Sequence, residues 1–160
     1  MRLTLIRHAI AAPADDETHD FSRALTRRGR KRFEPVVAGL DALGVRFSHL
    51  VHSPKVRALE TATLLAPLLR GQLEPTRLLV GKPTPALLTL LSRHDDLAVV
   101  GHEPHLTTLL SWLTVAQNAR SSGQTFELKK GAVAMLEGTP TPGGMNLTAL
   151  IPPRVFRRVG

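Results

Sequence analysis

The first apolar run in the chain is short: Leu3, Leu5 and Ile6 lie within Arg2 to Arg7 and give way at once to polar His8. That pattern predicts a buried strand with a polar residue at its carboxyl end. Residues 9–25, rich in Ala, Asp and Pro, read as a loop. Beyond them Phe33, Val36, Val37, Leu40 and Leu43 recur at helical spacing behind Thr26. This predicts a helix capped by Thr26 and ended by Gly44. Pro35 inside the pattern is expected to kink that helix or delay its start.

Residues 47–52 predict a second strand. Ser53-Pro54 predicts a helix with Pro at its first position, continued by Val56, Leu59, Ala62, Thr63, Leu65 and Ala66 to about Leu69. Thr84 is placed to cap a third helix to about Arg93. Leu97-Ala98-Val99-Val100 is the cleanest strand, stopped by Gly101 and followed by His102-Glu103-Pro104 and a helix to about Leu113. In the last third, residues 126–128, 132–137 and 145–151 read as strands separated by Gly and Pro turns, including Gly143-Gly144, and residues 154–160 as a loose tail. Strands alternating with helices imply an α/β fold, a three-layer α/β/α sandwich around a mainly parallel, mixed sheet with an antiparallel element near the C-terminus. With 160 residues, 42% of them hydrophobic, and no repeat or low-complexity linker, residues 1–160 are expected to form one domain.

The apolar stretches are too short for a signal-peptide core or a membrane span. The absence of cysteine excludes disulfides, cysteine-ligated zinc and a cysteine nucleophile, and fits a reducing compartment; a cytoplasmic protein is expected. The formal charge is +8, concentrated in residues 23–32 and 154–158, which favours anionic partners. Without Tyr, and with one Trp, the chain has no basic stretch interleaved with aromatics, so nucleic acid is not the expected partner. A phosphorylated protein or a small phosphorylated molecule is.

In α/β sheets ligands bind beyond the carboxyl ends of the strands. Three segments end there: Leu5-Ile6-Arg7-His8, His52-Ser53-Pro54-Lys55-Val56-Arg57 and Val99-Val100-Gly101-His102-Glu103-Pro104. Together they offer two imidazoles, His8 and His102, and two guanidiniums, Arg7 and Arg57. That is the composition of a phosphate site with a nucleophile inside it. Phosphoryl transfer asks mainly for orientation and charge neutralisation, which planar arginines supply in bidentate fashion. Neighbouring arginines should depress the pKa of His8 and keep it ready to attack, while His102 donates a hydrogen bond to a phosphoryl oxygen.

Leu5-Ile6-Arg7-His8-Ala9 resembles the Arg-His-Gly/Ala signature of the histidine phosphatase superfamily, which includes the phosphoglycerate mutases. Leu25-Thr26-Arg27-Arg28-Gly29, the segment from Ser53 to Ala62 and Val100-Gly101-His102-Glu103-Pro104 are similar, in order and spacing, to the blocks of the short SixA-type phosphohistidine phosphatases. Arg-His alone carries no information; the ordered set, covering residues 2–137, is specific. The resemblance implies a phosphoglycerate-mutase-like sandwich that uses neither metal nor cofactor, with His8 as the phosphorylated nucleophile and Arg7, Arg57 and His102 as the phosphate pocket.

Several residues have plainer readings. Arg57 and Glu60, three apart, suit a helix-surface ion pair. His49, His52 and His94 read as structural. His102, Glu103 and His105 do not have zinc-protease spacing, and no metal is expected. The run from Arg27 to Arg32 reads as a solvated helix face that could also steer acidic proteins. Loss of an alkoxide from a phosphate ester needs a general acid, whereas imidazole leaves readily. The chain has no obvious room for the long lid of the mutases between Arg57 and His102. Glu103 is the candidate acid, similar in placement to the His-Asp pair of the acid-phosphatase branch; it could instead complement a helix N-terminus, and Asp15, Asp16 and Glu17 are weaker alternatives. The expected activity is removal of phosphate from protein phosphohistidine. The alternatives are a broad small-molecule phosphomonoesterase and an inactive phosphate-binding adaptor.

Overall fold

The computed structural model describes residues 1–13, 20–116 and 126–159. Its frame is a six-stranded sheet of β1 (Arg2–Arg7), β2 (Phe47–His52), β3 (Leu69–Pro75), β4 (Asp96–Gly101), β5 (Val133–Gly138) and β6 (Met145–Ile151), in the order β3-β2-β4-β1-β5-β6. β3, β2, β4 and β1 are mutually parallel, β5 is antiparallel to β1, and β6 is antiparallel to β5. The helices are α1 (Arg27–Ala42), α2 (Val56–Leu64), α3 (Pro85–Leu91), α4 (His105–Val115) and α5 (Pro153–Val159).

Two apolar layers follow from the strand period of two. Leu3, Leu5, Leu97 and Val99 face Leu87 and Leu91 of α3 and Leu106, Leu109 and Leu110 of α4. Ile6, Ala98 and Val100 face Phe33, Val36 and Leu40 of α1, Ala58 and Ala62 of α2, and Phe156 of α5. Burial on both sides explains why β4 reads as an unbroken apolar run rather than an alternating one. The expected mainly parallel α/β/α sandwich is therefore the fold. No helix among the described residues is long and apolar enough to cross a membrane.

Thr26 caps α1 as its sequence implies, its Oγ1 accepting from Gly29 N at 2.9 Å. Gly29 itself is needed there, because a Cβ would lie 2.0 Å from the Ile10 carbonyl oxygen. α1 continues unbroken past Pro35 from an undelayed start. Three buried apolar residues of this helix, Phe33, Val36 and Leu40, outweigh the one backbone hydrogen bond that a proline forfeits.

Other boundaries move. α2 starts at Val56 with Lys55 as its N-cap, and α4 starts after Pro104, so Pro54 and Pro104 precede their helices rather than occupy the first turn. α2 stops at Leu64, and a 3-10 turn, Ala66–Leu68, leads into β3, where no strand was expected. β3 is an edge strand, mostly exposed and among the described residues paired only to β2, so it needs no apolar alternation. Residues 126–128 are not a strand.

The basic C-terminal segment is not a loose tail. Residues 153–159 form α5, and Phe156, 4% exposed, packs where Gly39 leaves room on α1; a Cβ at Gly39 would lie 2.2 Å from the Phe156 ring. Phe156→Ala is expected to lower unfolding free energy by about 3 kcal/mol in urea titration. A loss under about 0.5 kcal/mol would mean that α5 does not hold α1.

Candidate active site

The backbone brings the three candidate segments together. Beyond the strand ends the ladder continues: His8 N donates to Gly101 O at 3.0 Å and Ser53 N to Val100 O at 3.0 Å. Gly131 N, in a turn with φ +79°, donates to the carbonyls of both Arg7 and His8. Thr61 of α2 closes the frame, its Oγ1 accepting from Ala9 N at 3.0 Å and donating to Arg57 O at 2.7 Å. Main-chain bonds thus fix His8 and the turn before α2, and the Thr61 side chain ties Arg57 to Ala9.

His8 is 5% exposed, and its Nδ1 lies 2.7 Å from the carbonyl oxygen of Ala9. A carbonyl can only accept, so Nδ1 carries the proton and Nε2 keeps its lone pair. Arg57 Nε donates toward that lone pair at 3.3 Å. The His8 pKa is pushed down to about 3, first by burial and then by the charges of Arg57, Arg7 and Lys130, with the Ala9 bond working the other way. The arginines contribute as expected, but desolvation is the larger cause.

The His102 ring lies beside it, centroid to centroid 5.2 Å at a 56° tilt. Burial above all, then the proximity of His8 and Arg57, holds His102 well below the usual imidazole range. Among the described residues both of its ring nitrogens are buried without a partner, as is Arg7 Nε. Orphaned buried polar atoms are costly and rare, so these three atoms on the neighbours of His8 mark a place for a polar ligand. Arg7 is aimed by its Nη1, which donates to Leu128 O at 2.6 Å. Residues 126–128, read from sequence as a strand, serve here as an anchor instead.

Arg57 brings in a residue that sequence reasoning missed. Its Nη1 donates to the Asp20 carbonyl at 2.5 Å, and its Nη2 lies 3.1 Å from Asp20 Oδ1. The same carboxylate pairs with Arg23 at 2.7 Å and with Lys55. Burial works to raise the Asp20 pKa, but hydrogen bonds from Lys55, Arg57 and Arg23 outweigh it and hold the carboxyl well below its usual range. The terminal nitrogens of Arg57 are therefore engaged by Asp20, while Nε addresses His8. Asp20 lies 37 positions from Arg57 in a segment without periodicity, so no sequence signal joined them. Lys130, whose charge acts on His8, was missed for the same reason.

Glu60 does not pair with Arg57. It accepts from Leu25 N at 2.5 Å and pairs with Arg30. Glu103 Oε2 accepts from Thr107 N at 3.3 Å, the helix-terminus arrangement, while its Oε1 is buried without a partner among the described residues. Among the described residues Glu103 makes no hydrogen bond to His8, Arg57 or His102. Asp15, Asp16 and Glu17 lie outside the described residues. His52 and His105 are buried with Nδ1 on backbone carbonyls, and His49 packs on His94.

No family model matches the chain. It is 32% identical over 143 residues to an uncharacterized protein of Picosynechococcus, covering 83% of this chain and 82% of that one, and the two belong to one family. The protein histidine phosphatase SixA, solved with tungstate, superimposes with a TM-score of 0.77 over 97% of this chain and 99% of its own, at 21% identity. The fold is that of the SixA-type histidine phosphatases. An alpha-ribazole phosphatase from Shigella flexneri also shares it, with a TM-score of 0.73 over 96% and 97% of the two chains at 18% identity. In this histidine phosphatase fold, His8 and His102 close the two central strands β1 and β4.

The buried neutral imidazoles make stability pH-dependent. Below about pH 6.5 the unfolded chain takes a proton on His8, whereas the folded protein does not until about pH 3. The unfolded state is thus favoured progressively as pH falls through that window, and the stability is fully present above it. Asp20, with its pKa lowered, adds loss in the same direction as its carboxylate protonates. His8→Asn is expected to flatten the slope of unfolding free energy against pH between 6 and 4 by about 1.4 kcal/mol per unit. An unchanged slope would show that His8 titrates in the folded state.

Proposed function

We propose that the chain is a phosphatase that forms a phosphohistidine on His8 and removes phosphate from phosphohistidine in proteins. The observation that carries this reading is the His8–Ala9 hydrogen bond, which leaves Nε2 as an unprotonated nucleophile facing the Arg57 guanidinium. Nε2 attacks phosphorus; a bond forms from Nε2 to phosphorus as the bond to the leaving nitrogen breaks, and that nitrogen keeps the electron pair and is protonated. Water then attacks, the bond to Nε2 breaks, and inorganic phosphate leaves with His8 restored. Arg7, Arg57 and a ring N–H of His102 neutralise the equatorial oxygens.

The leaving group supports phosphohistidine as the substrate. Imidazole departs with a conjugate-acid pKa near ~6.5 and needs little help, and Glu103 is engaged with α4 rather than with the histidine pair. The absence of cysteine suits this role in a reducing compartment.

A second reading, a small-molecule phosphomonoesterase, is favoured by one feature: Glu103 Oε1 is buried, unpartnered and directly after His102. Similarity to the alpha-ribazole phosphatase points the same way.

Incubation with a phosphohistidine-bearing protein is expected to release phosphate and to leave an acid-labile, alkali-stable phosphoryl group on the enzyme. His8→Ala should abolish both; turnover that survives it would remove the nucleophile, and hydrolysis of esters alone would remove the protein substrate. Glu103→Gln separates the two readings. It should leave phosphohistidine turnover within about twofold but slow ester hydrolysis by about a hundredfold if Glu103 is the acid. Equal losses on both substrates would exclude Glu103 from proton transfer.

A further inference from the structure

Beside the site, on its α1 side, an open cleft of about 360 Å³ runs between α1, the 127–131 turn and α5. Among the described residues its charged lining is Arg7, Arg32, Lys129, Lys130 and Arg157 against a single carboxylate, Glu127. Arg32, Lys129 and Arg157 are exposed, and among the described residues none of them, nor Lys130, is paired with a carboxylate. Cations spread over three separate elements yet turned into one concavity repel one another, and within a Debye length of about 8 Å that repulsion is only partly screened. An anionic occupant relieves it.

The cleft is continuous with the phosphate site. Arg7 and Ala9 line it, Arg7 and Lys130 act on His8, and Gly131, also in its wall, holds the carbonyls of Arg7 and His8. Whatever lies there adjoins the group presented to His8. Its aromatic wall residue, Phe33, is 1% exposed, so the cleft offers no ring for a nucleobase to stack on. An extended peptide needs no such ring, and carboxylate side chains suit scattered Lys and Arg heads.

We infer that this cleft is a docking groove for an acidic segment of a protein substrate, the stretch of chain that flanks its phosphohistidine. The inference rests on the phosphohistidine reading above and adds to it the substrate's local charge. α5 is what makes the groove, since Arg157 and Pro153 form one wall.

The test uses two phosphohistidine peptides that differ only in flanks rich in Asp and Glu or in Ser and Gln. They are assayed with the wild-type chain and with the Arg32→Glu, Lys129→Glu, Arg157→Glu triple variant. The acidic peptide is expected to show a KM about tenfold lower than the neutral one, rising with salt and rising about tenfold in the variant, with kcat unchanged. Turnover of the neutral peptide and the thermal unfolding midpoint should not move. Equal KM values for the two peptides, or equal losses in the variant, would overturn the groove. Fluorescence anisotropy with unphosphorylated labelled versions of the same peptides keeps the two proposals apart. Selective binding of the acidic peptide without turnover of either would sink the phosphatase reading and retain the groove, whereas tighter binding of a single-stranded oligonucleotide would replace the peptide.

Discussion

Arg7 of β1 lies opposite Gly101 of β4 in a parallel ladder, and the next backbone hydrogen bond, from His8 N to Gly101 O, carries that register one step past the sheet. Because both strands are buried on both faces, a slip of one residue would drive every apolar side chain to the wrong layer. The register is therefore enforced by the whole core. Its consequence at the sheet edge is that His8 and His102 emerge side by side, with a geometry owed to burial rather than to any attraction between the rings.

The same burial sets the chemistry. Imidazoles taken out of water beside guanidinium and ammonium groups stay neutral, and a neutral His8 with Nδ1 committed to Ala9 presents one available lone pair. Desolvation costs stability at low pH, so the burial that suits His8 to the proposed nucleophilic role also makes the protein acid-sensitive. Asp20 counterbalances the cations from the other side. By taking Lys55, Arg23 and the terminal nitrogens of Arg57, it orients the guanidinium so that Nε meets His8.

The second layer of organisation is α5. Its single buried ring, Phe156, docks on Gly39 and brings Arg157 across to the face that carries Arg32. A helix whose polar side is basic thereby becomes a wall of the proposed groove rather than a solvated appendage.

By itself the sequence determined the α/β alternation, the ends of β1, β2 and β4 and the Thr26 cap, and it singled out Arg7, His8, Arg57 and His102 as candidates. These depend on local periodicity, on capping chemistry and on polar residues that stop apolar runs, all of which lie within a few positions of one another. The edge strand β3, the helix α5, the passage of α1 through Pro35 and the Asp20 clamp on Arg57 were decided only by tertiary structure. In each case the stabilising partner is remote in the chain: β2 for β3, Gly39 for Phe156, the core for α1 and Arg57 for Asp20. A local pattern cannot register a partner that only folding brings near.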